Sequence, residues 1–423
     1  MGRTLDSRLA TLLRAVSPRG EPDPIEAPGE TGRGRIVVSE ETEPSSLSHA
    51  AQRLAGDGLL AVTGSARALR TARDTLEAEG LAHRGTFLRS DRALVHASRE
   101  GRRLLIEQSV VSGARRLALR MAPDALAPRV ALFTRRDGPR PLDWVSPGED
   151  GAAALVTGHR TESAAVRLAE LFAKWATDAN RLERAYENSL AFAAGARIAG
   201  FDVPELRLIR LGAAAALVAD ARGGETAASL LRRRPHDLPA FADRLVSTLE
   251  AWNLGSREVV PFGASDAARQ LAADLAVVEP QLEAAHVAVI RRRFDEASTE
   301  TTPVAPAHGD VSMWNVVVGA HGLTLVDWEA ARPRLLPGFD AEYALVDATA
   351  AAAAYADRVA AFTRSDVQGL RERIAATTGV PPLVAALAPV ATWAHHAANE
   401  IRSGGDDGSF LAVLRLVLAD VPR

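Results

Sequence analysis

His308-Gly309-Asp310 is followed five residues after the aspartate by Asn315, and Asp327-Trp328-Glu329 begins twelve residues beyond that. Two carboxylates and an amide oxygen in this order suit phosphoryl transfer. That chemistry needs one carboxylate to orient a nucleophilic hydroxyl and accept its proton. It also needs an amide oxygen and a second carboxylate to hold Mg2+ against a nucleotide's phosphates, and Mg2+ takes oxygen ligands while keeping sites open for those phosphates. Between the two motifs lie the apolar run Val316–Val318, a Gly319–Gly322 turn and the apolar run Leu323–Val326. This pattern predicts a loop leading into a β-hairpin, which sets all three side chains on one wall.

The segment resembles the catalytic core of the aminoglycoside phosphotransferase and choline kinase family, whose members share a protein-kinase-like fold. In that family the loop reads His-Gly-Asp with an Asn five residues on, and the second acidic element commonly reads Asp-Trp-Glu or similar. The resemblance implies that Asp310 is the catalytic base, that Asn315 and Asp327 are Mg2+ ligands, and that His308 braces the loop. It implies ATP and Mg2+ as cofactors and the hydroxyl of a small molecule as acceptor, of aminoglycoside, sugar or amino-alcohol type. It spans residues 150–423, and it implies a small sheet-rich lobe followed by a larger helical lobe with ATP held in a cleft.

Such a fold carries a cation on the small lobe for the α- and β-phosphates, paired with a glutamate on the next helix. Lys174 is the single lysine among 50 basic residues, and it falls at the end of an apolar segment just before an amphipathic helix. An ammonium at a tight phosphate site is not replaced by a planar guanidinium, so a lysine in an otherwise arginine-only chain fits that demand. On the helix, Glu187 is the expected partner, with Glu183 one turn earlier as the alternative. Gly158, in Gly158-His159-Arg160, sits where a phosphate-covering turn is expected, although a plain β-turn reads equally well. Backbone groups near Ala219 and Ala221 are expected to hold the adenine. Glu329, Asp340, Glu342 and Asp347 follow the second motif, and an acidic pocket for a cationic acceptor would draw on them.

Composition narrows the classes. The 423 residues include no cysteine, which excludes disulfides, thiolate metal sites and cysteine nucleophiles. A formal net charge of −3 disfavours a general nucleic-acid binder. No run of ~18 uncharged apolar residues suggests a membrane span. The stretch Met1–Arg19 reads as an amphipathic helix without a cleavage site, and the expected location is the cytoplasm. Oligomeric state is not legible in the chain.

The elements that must carry these residues read as α+β. Residues 1–34 form a helix and linker, and 35–148 a small α/β domain. A kinase-like small lobe covers 149–222 and a helical large lobe 223–423. In the second region a strand at Arg35–Ser39 precedes a helix at Ser45–Ala55 capped by Ser45 or Ser46. A Gly56-Asp57-Gly58 turn follows, then a strand at Leu59–Thr63 and a helix at Ser65–Gly80. Further strands are expected at Thr86–Arg89, Ala93–Ala97, Leu104–Ile106 and Arg129–Thr134, with a helix near Ala114–Leu119. The stretch loosely resembles the second half of a class I methyltransferase, but no acidic-Gly-x-Gly loop for a methionine cofactor precedes it, so a non-catalytic domain is expected. Runs of arginine at 232–234 and 291–293 read as solvated helix ends, with steering of anions as the alternative, and His395-His396 as helix-surface or core histidines. The rival to a phosphotransferase is a nucleotide-binding pseudokinase or scaffold, favoured by the poor phosphate loop.

Overall fold

The computed structural model describes residues 12–14, 25–26, 34–39, 42–90, 93–96, 129–137, 155–160, 163–167, 171–211, 214–220, 224–320, 322–403 and 408–419. The expected strand Leu104–Ile106, the helix Ala114–Leu119, most of Met1–Arg19 and Ala221 lie outside these residues. The chain forms two compact units, Met1–Tyr186 with Glu205–Ala221, and Glu187–Pro204 with Arg222–Arg423.

Alternating side chains build the first unit. Along β2 (Gly34–Ser39) and β3 (Leu54–Gly64), Ile36, Val38, Leu59 and Ala61 bury on one face, and Val37, Leu60 and Val62 on the other. This is the period of two that a strand buried on both faces requires. Helices α1 (Pro44–Arg53) and α2 (Ala66–Ala78) cover the second face with Leu47, Ala50, Leu69, Ala72 and Leu76. The remaining strands are β1 (Ile25–Glu26), β4 (Leu81–Ser90), β5 (Ala93–His96), β6 (Arg129–Arg135), β7 (Leu155–Arg160), β8 (Ser163–Arg167), β9 (Leu171–Ala176), β11 (Arg207–Leu211) and β12 (Ala214–Asp220). They join in one sheet, ordered β1-β2-β3-β6-β4-β5-β7-β8-β9-β12-β11. Among the described residues of this sheet, only β1–β2 and β2–β3 pair in parallel. The β5–β7 pairing, with Leu94 opposite Val156, continues the sheet past the Gly-, Pro- and Asp-rich stretch at 135–150.

Two local expectations are corrected here. Gly56-Asp57-Gly58 lies inside β3 and is not a turn. Helix α1 begins at Pro44 behind Glu43, with no side-chain cap from Ser45 or Ser46. Proline presets the first helical dihedral and has no N–H to satisfy, so the start needs no hydroxyl. Ser65 does cap α2, accepting a hydrogen bond from the Ala68 amide at 3.2 Å.

Strands β7, β8 and β9 run antiparallel. Helix α3 (Ala179–Ala199) comes next, and then β11 and β12, with β12 pairing between β9 and β11. Leu182 and Ala185 on α3 pack on Ala176, Ala215 and Leu217.

The second unit is mainly helical. Its helices are α4 (Ala227–Arg233), α5 (Leu238–Gly255), α6 (Asp266–Val278), α7 (Ala284–Ala297), α8 (Phe339–Ala352), α9 (Arg358–Arg364), α10 (Val367–Thr378), α11 (Pro382–Ala385), α12 (Ala388–Arg402) and α13 (Ser409–Ala419). Strands β10 (Phe201–Asp202), β13 (Glu225–Thr226), β16 (Val316–Gly319) and β17 (Gly322–Leu325) form one small sheet in the order β10-β17-β16-β13. Strands β14 (Glu258–Pro261), β15 (Thr301–Ala307) and β18 (Arg332–Leu335) form another, with β15 central.

Helix α8 is buried almost all round, and its buried acids Asp340, Glu342 and Asp347 are all hydrogen-bonded. Ala344, Ala348 and Ala351 face a core shared with α4 and α5. Tyr343, Val346 and Ala350 face a second core shared with α6, α12 and α13. Small alanine side chains let neighbouring helices approach from both sides. Among the described residues no helix is long and apolar enough to cross a membrane. The α+β class expected from the chain is the one observed.

Candidate active site

Strand β15 ends at Ala307, and residues 308–315 cross to the β16–β17 hairpin as the catalytic-type loop. At Gly309 the backbone is left-handed, with φ of 80°, and a Cβ there would meet the Ala330 carbonyl oxygen at 2.4 Å. Only glycine satisfies both conditions. Asp327 is also left-handed, with φ of 68°, although it carries a side chain. A strained non-glycine backbone of this kind persists only where its surroundings over-determine it, and such residues cluster at functional sites.

Helix α8 holds both ends of the loop. The Asp340 carboxylate accepts the amides of His308 at 2.6 Å and Gly309 at 2.9 Å. Seven residues later, and so on the same helix face, Asp347 accepts the amide of Met313 at 2.7 Å. Asp347 also takes Arg358 at 2.9 Å and the Tyr355 hydroxyl at 3.1 Å. Hydrogen bonds to a buried charge are among the stronger ones. Burial pushes the Asp340 carboxyl up to about 6, against the pull of those two amides.

Inside the loop, the amide nitrogen of Asn315 donates to Asp310 twice, to its carboxylate at 2.9 Å and to its carbonyl at 3.0 Å. Its backbone carbonyl accepts from the amide of Val326 at 3.0 Å, one residue before Asp327. The imidazole Nε2 of His308 donates to the Val326 carbonyl at 3.0 Å, and the ring rests edge-on against Trp328. Burial pushes this imidazole down to about 4, so it is neutral at pH 7 and holds position as an uncharged donor. Asp310 behaves oppositely. Burial, with the charges of Asp327, Asp347 and Asp340 behind it, pushes its carboxyl up to about 7, and the Asn315 amide opposes that rise. A carboxylate with a pKa near neutrality is a usable proton acceptor.

Asn315 therefore ties Asp310 to the hairpin at Val326, and Asp327 is the next residue, close enough for its charge to act on Asp310. The nitrogen of Asn315 is committed to Asp310, so Oδ1 is the atom that could ligate a cation. That oxygen and the Asp327 carboxylate are a hard donor set suited to Mg2+. Among the described residues no group of three or more His, Cys, Asp or Glu side chains forms a ready-made metal site. One amide and one carboxylate fit a cation that completes its shell with water and phosphate.

The other expected residues fall elsewhere. Lys174 is half-buried on β9, opposite Ala165 on β8 and Leu217 on β12. Gly158 lies within β7 opposite Ala164, ahead of the hairpin tip. Ala219 is buried near the end of β12, and Ala221 lies outside the described residues. Glu187 is exposed on α3, and Glu183 pairs with Arg210 at 3.2 Å.

The acids proposed for a cationic acceptor are largely spent. Asp340 and Asp347 hold the loop, and Glu342 is buried against Arg371, at 2.6 and 2.9 Å, and the Trp393 indole, at 2.6 Å. One contributor escaped the sequence reading. Asn188, next to Glu187, donates to the carbonyls of Trp328 at 3.0 Å and Ala331 at 3.2 Å, and so fixes the turn after Asp327. An asparagine on a helix face carries no spacing signal that would have singled it out.

No protein-family profile and no curated protein matches the chain. Solved structures similar to it include the GDP complex of wild-type aminoglycoside 2'-phosphotransferase-IIIa, at 13% identity and a TM-score of 0.43, covering 66% of this chain and 96% of that one. Aminoglycoside phosphotransferase APH(4)-Ia aligns at 15% identity and a TM-score of 0.42, covering 64% and 94%. Choline kinase LicA from Streptococcus pneumoniae aligns at 11% identity and a TM-score of 0.41, covering 62% and 90%.

Proposed function

We propose that this chain is a Mg2+–ATP-dependent phosphotransferase that moves the γ-phosphoryl group of ATP to a hydroxyl of a small molecule. The observation that carries the reading is the network joining Asp310, Asn315 and Asp327. Asp310 receives the acceptor's hydroxyl proton as its oxygen attacks the γ-phosphorus. The Asn315 oxygen and the Asp327 carboxylate would hold Mg2+, whose charge offsets the negative charge of the transferring group. His308, fixed as a neutral donor to Val326, keeps the loop registered on the hairpin. Lys174, the single lysine, is assigned to the nucleotide phosphates. Catalysis is then mainly positioning and charge neutralisation.

The test is direct. The full chain is incubated with γ-labelled ATP, Mg2+ and a panel of aminoglycosides, sugars and amino alcohols. The reading expects label on at least one acceptor, abolished by chelating Mg2+. No labelled acceptor together with no ATP hydrolysis sinks it.

A further inference from the structure

Next to Asp310 the chain presents a surface that the phosphoryl-transfer network does not use. Trp314, one residue before Asn315, is 44% exposed. One face of its indole stacks on Tyr355, with centroids 6.2 Å apart and planes 15° from parallel. The opposite face has no ring against it among the described residues. Tyr355 is held for this purpose at some cost. It and Ala354 are consecutive left-handed residues, with φ of 58° and 55°, and such backbone is costly in residues that carry a Cβ. The Tyr355 hydroxyl is anchored on Asp347, the carboxylate that also holds Met313, the neighbour of Trp314.

A third element converges on the same place. The amide of Ala228, in the first turn of α4, donates to the Met313 carbonyl at 2.9 Å, so the N-terminus of α4 abuts the loop, and Arg232 is close enough for its charge to act on Tyr355. Arg232 lies four residues further on, one turn along the helix. It is exposed, and among the described residues no carboxylate pairs with it. The next arginine, Arg233, is paired with Glu225. Two of the acids near the loop are already engaged. Asp347 is neutralised by Arg358 and Asp340 is consumed by backbone amides.

We propose that Trp314, Tyr355 and Arg232 form the acceptor subsite, and that its ligand is a hydroxylated ring compound bearing an anionic group. The open indole face covers the ring, Tyr355 backs the indole, and Arg232 takes the carboxylate or phosphate in a bidentate fork. The proposal rests on the phosphotransferase reading for its placement beside Asp310, and it selects among the acceptors that reading leaves open.

The test is equilibrium binding without nucleotide, so that it stands or falls apart from ATP chemistry. The probes share one ring and differ in charge: glucuronate and glucose 6-phosphate (anionic), glucose (neutral) and glucosamine (cationic). Binding is read as the tryptophan fluorescence present in wild type and lost in Trp314→Phe. The expected result is half-saturation at least tenfold lower for an anionic probe than for glucosamine, with Arg232→Ala abolishing that preference. The two anionic arms distinguish carboxylate from phosphate. Tighter binding of glucosamine, a preference that survives Arg232→Ala, or no Trp314-dependent signal with any probe overturns the proposal. Absence of ATP turnover with intact anion binding would instead count against the phosphotransferase reading alone.

Discussion

At the residue scale the account rests on a few side chains that cannot exchange roles. Asp310 needs to accept a proton, and asparagine cannot. Asn315 uses its amide nitrogen for Asp310, and in the proposed mechanism its oxygen would hold the metal; aspartate cannot donate that bond. Asn315→Asp would also place another negative charge beside a carboxyl already pushed up to about 7 by burial and its acidic neighbours. This substitution is expected to lower kcat at least tenfold and to raise the Mg2+ concentration needed for half-maximal rate. A Mg2+ titration of ATP turnover checks both. Lys174→Arg keeps the charge and changes the geometry. If the lysine binds phosphates, the KM for ATP should rise about tenfold or more, whereas the same swap at a solvated position is silent. An unchanged KM and kcat would return that lysine to chance.

At the element scale, the loop is a backbone shape held by helix α8. Gly309→Ala combines a φ of 80° with a Cβ placed 2.4 Å from the Ala330 oxygen. It should cost on the order of 1–3 kcal/mol of stability for the strained backbone alone, read as a lower denaturant midpoint. Asp347→Asn retains the shape but weakens the clamp on Met313. The expected signature is a drop in kcat with the fold intact by circular dichroism.

This scale also separates what the chain discloses from what it conceals. His308, Asp310, Asn315 and Asp327 were legible because their relation is local, within 20 residues and punctuated by glycines. Asp340 and Asp347 were not. Their work is done on backbone more than 30 residues away, and in sequence they look like any acids on an alanine-rich helix. The strand order of the first unit was hidden for the same reason. The pairing of β3 with β6 joins residues some 70 apart, and Gly56-Asp57-Gly58 reads as a turn until the neighbouring strand is known.

At the scale of the whole molecule, two buried imidazoles couple stability to pH. Burial holds His396 well below 6.5, stacked on Tyr343 at 3.7 Å, and His308 down to about 4. Both are neutral when folded and take up a proton on unfolding below pH 6.5. Each therefore favours unfolding increasingly as pH falls from 6.5 towards its folded value. For His308 this amounts to about 3 kcal/mol across the window. The raised carboxyls of Asp310 and Asp340 act in the opposite sense, because the folded state there binds the extra proton. The clean observable is thus a difference between two proteins. His396→Phe keeps a ring against Tyr343 and removes the titration. Its stability relative to wild type should rise as pH falls from 7 to 5, with a slope approaching about 1.4 kcal/mol per pH unit. Denaturant midpoints at pH 5, 6 and 7 measure it, and parallel curves would place His396 outside the linkage.

The central claim is that Asp310 is the base of a Mg2+-dependent phosphoryl transfer. Steady-state turnover of γ-labelled ATP by wild type and Asp310→Asn tests it most directly, with nucleotide binding measured in parallel. The account predicts a kcat lower by about 10²–10⁴-fold in the variant, with ATP affinity within a few-fold of wild type. An Asp310→Asn protein that turns over ATP at the wild-type rate would contradict it.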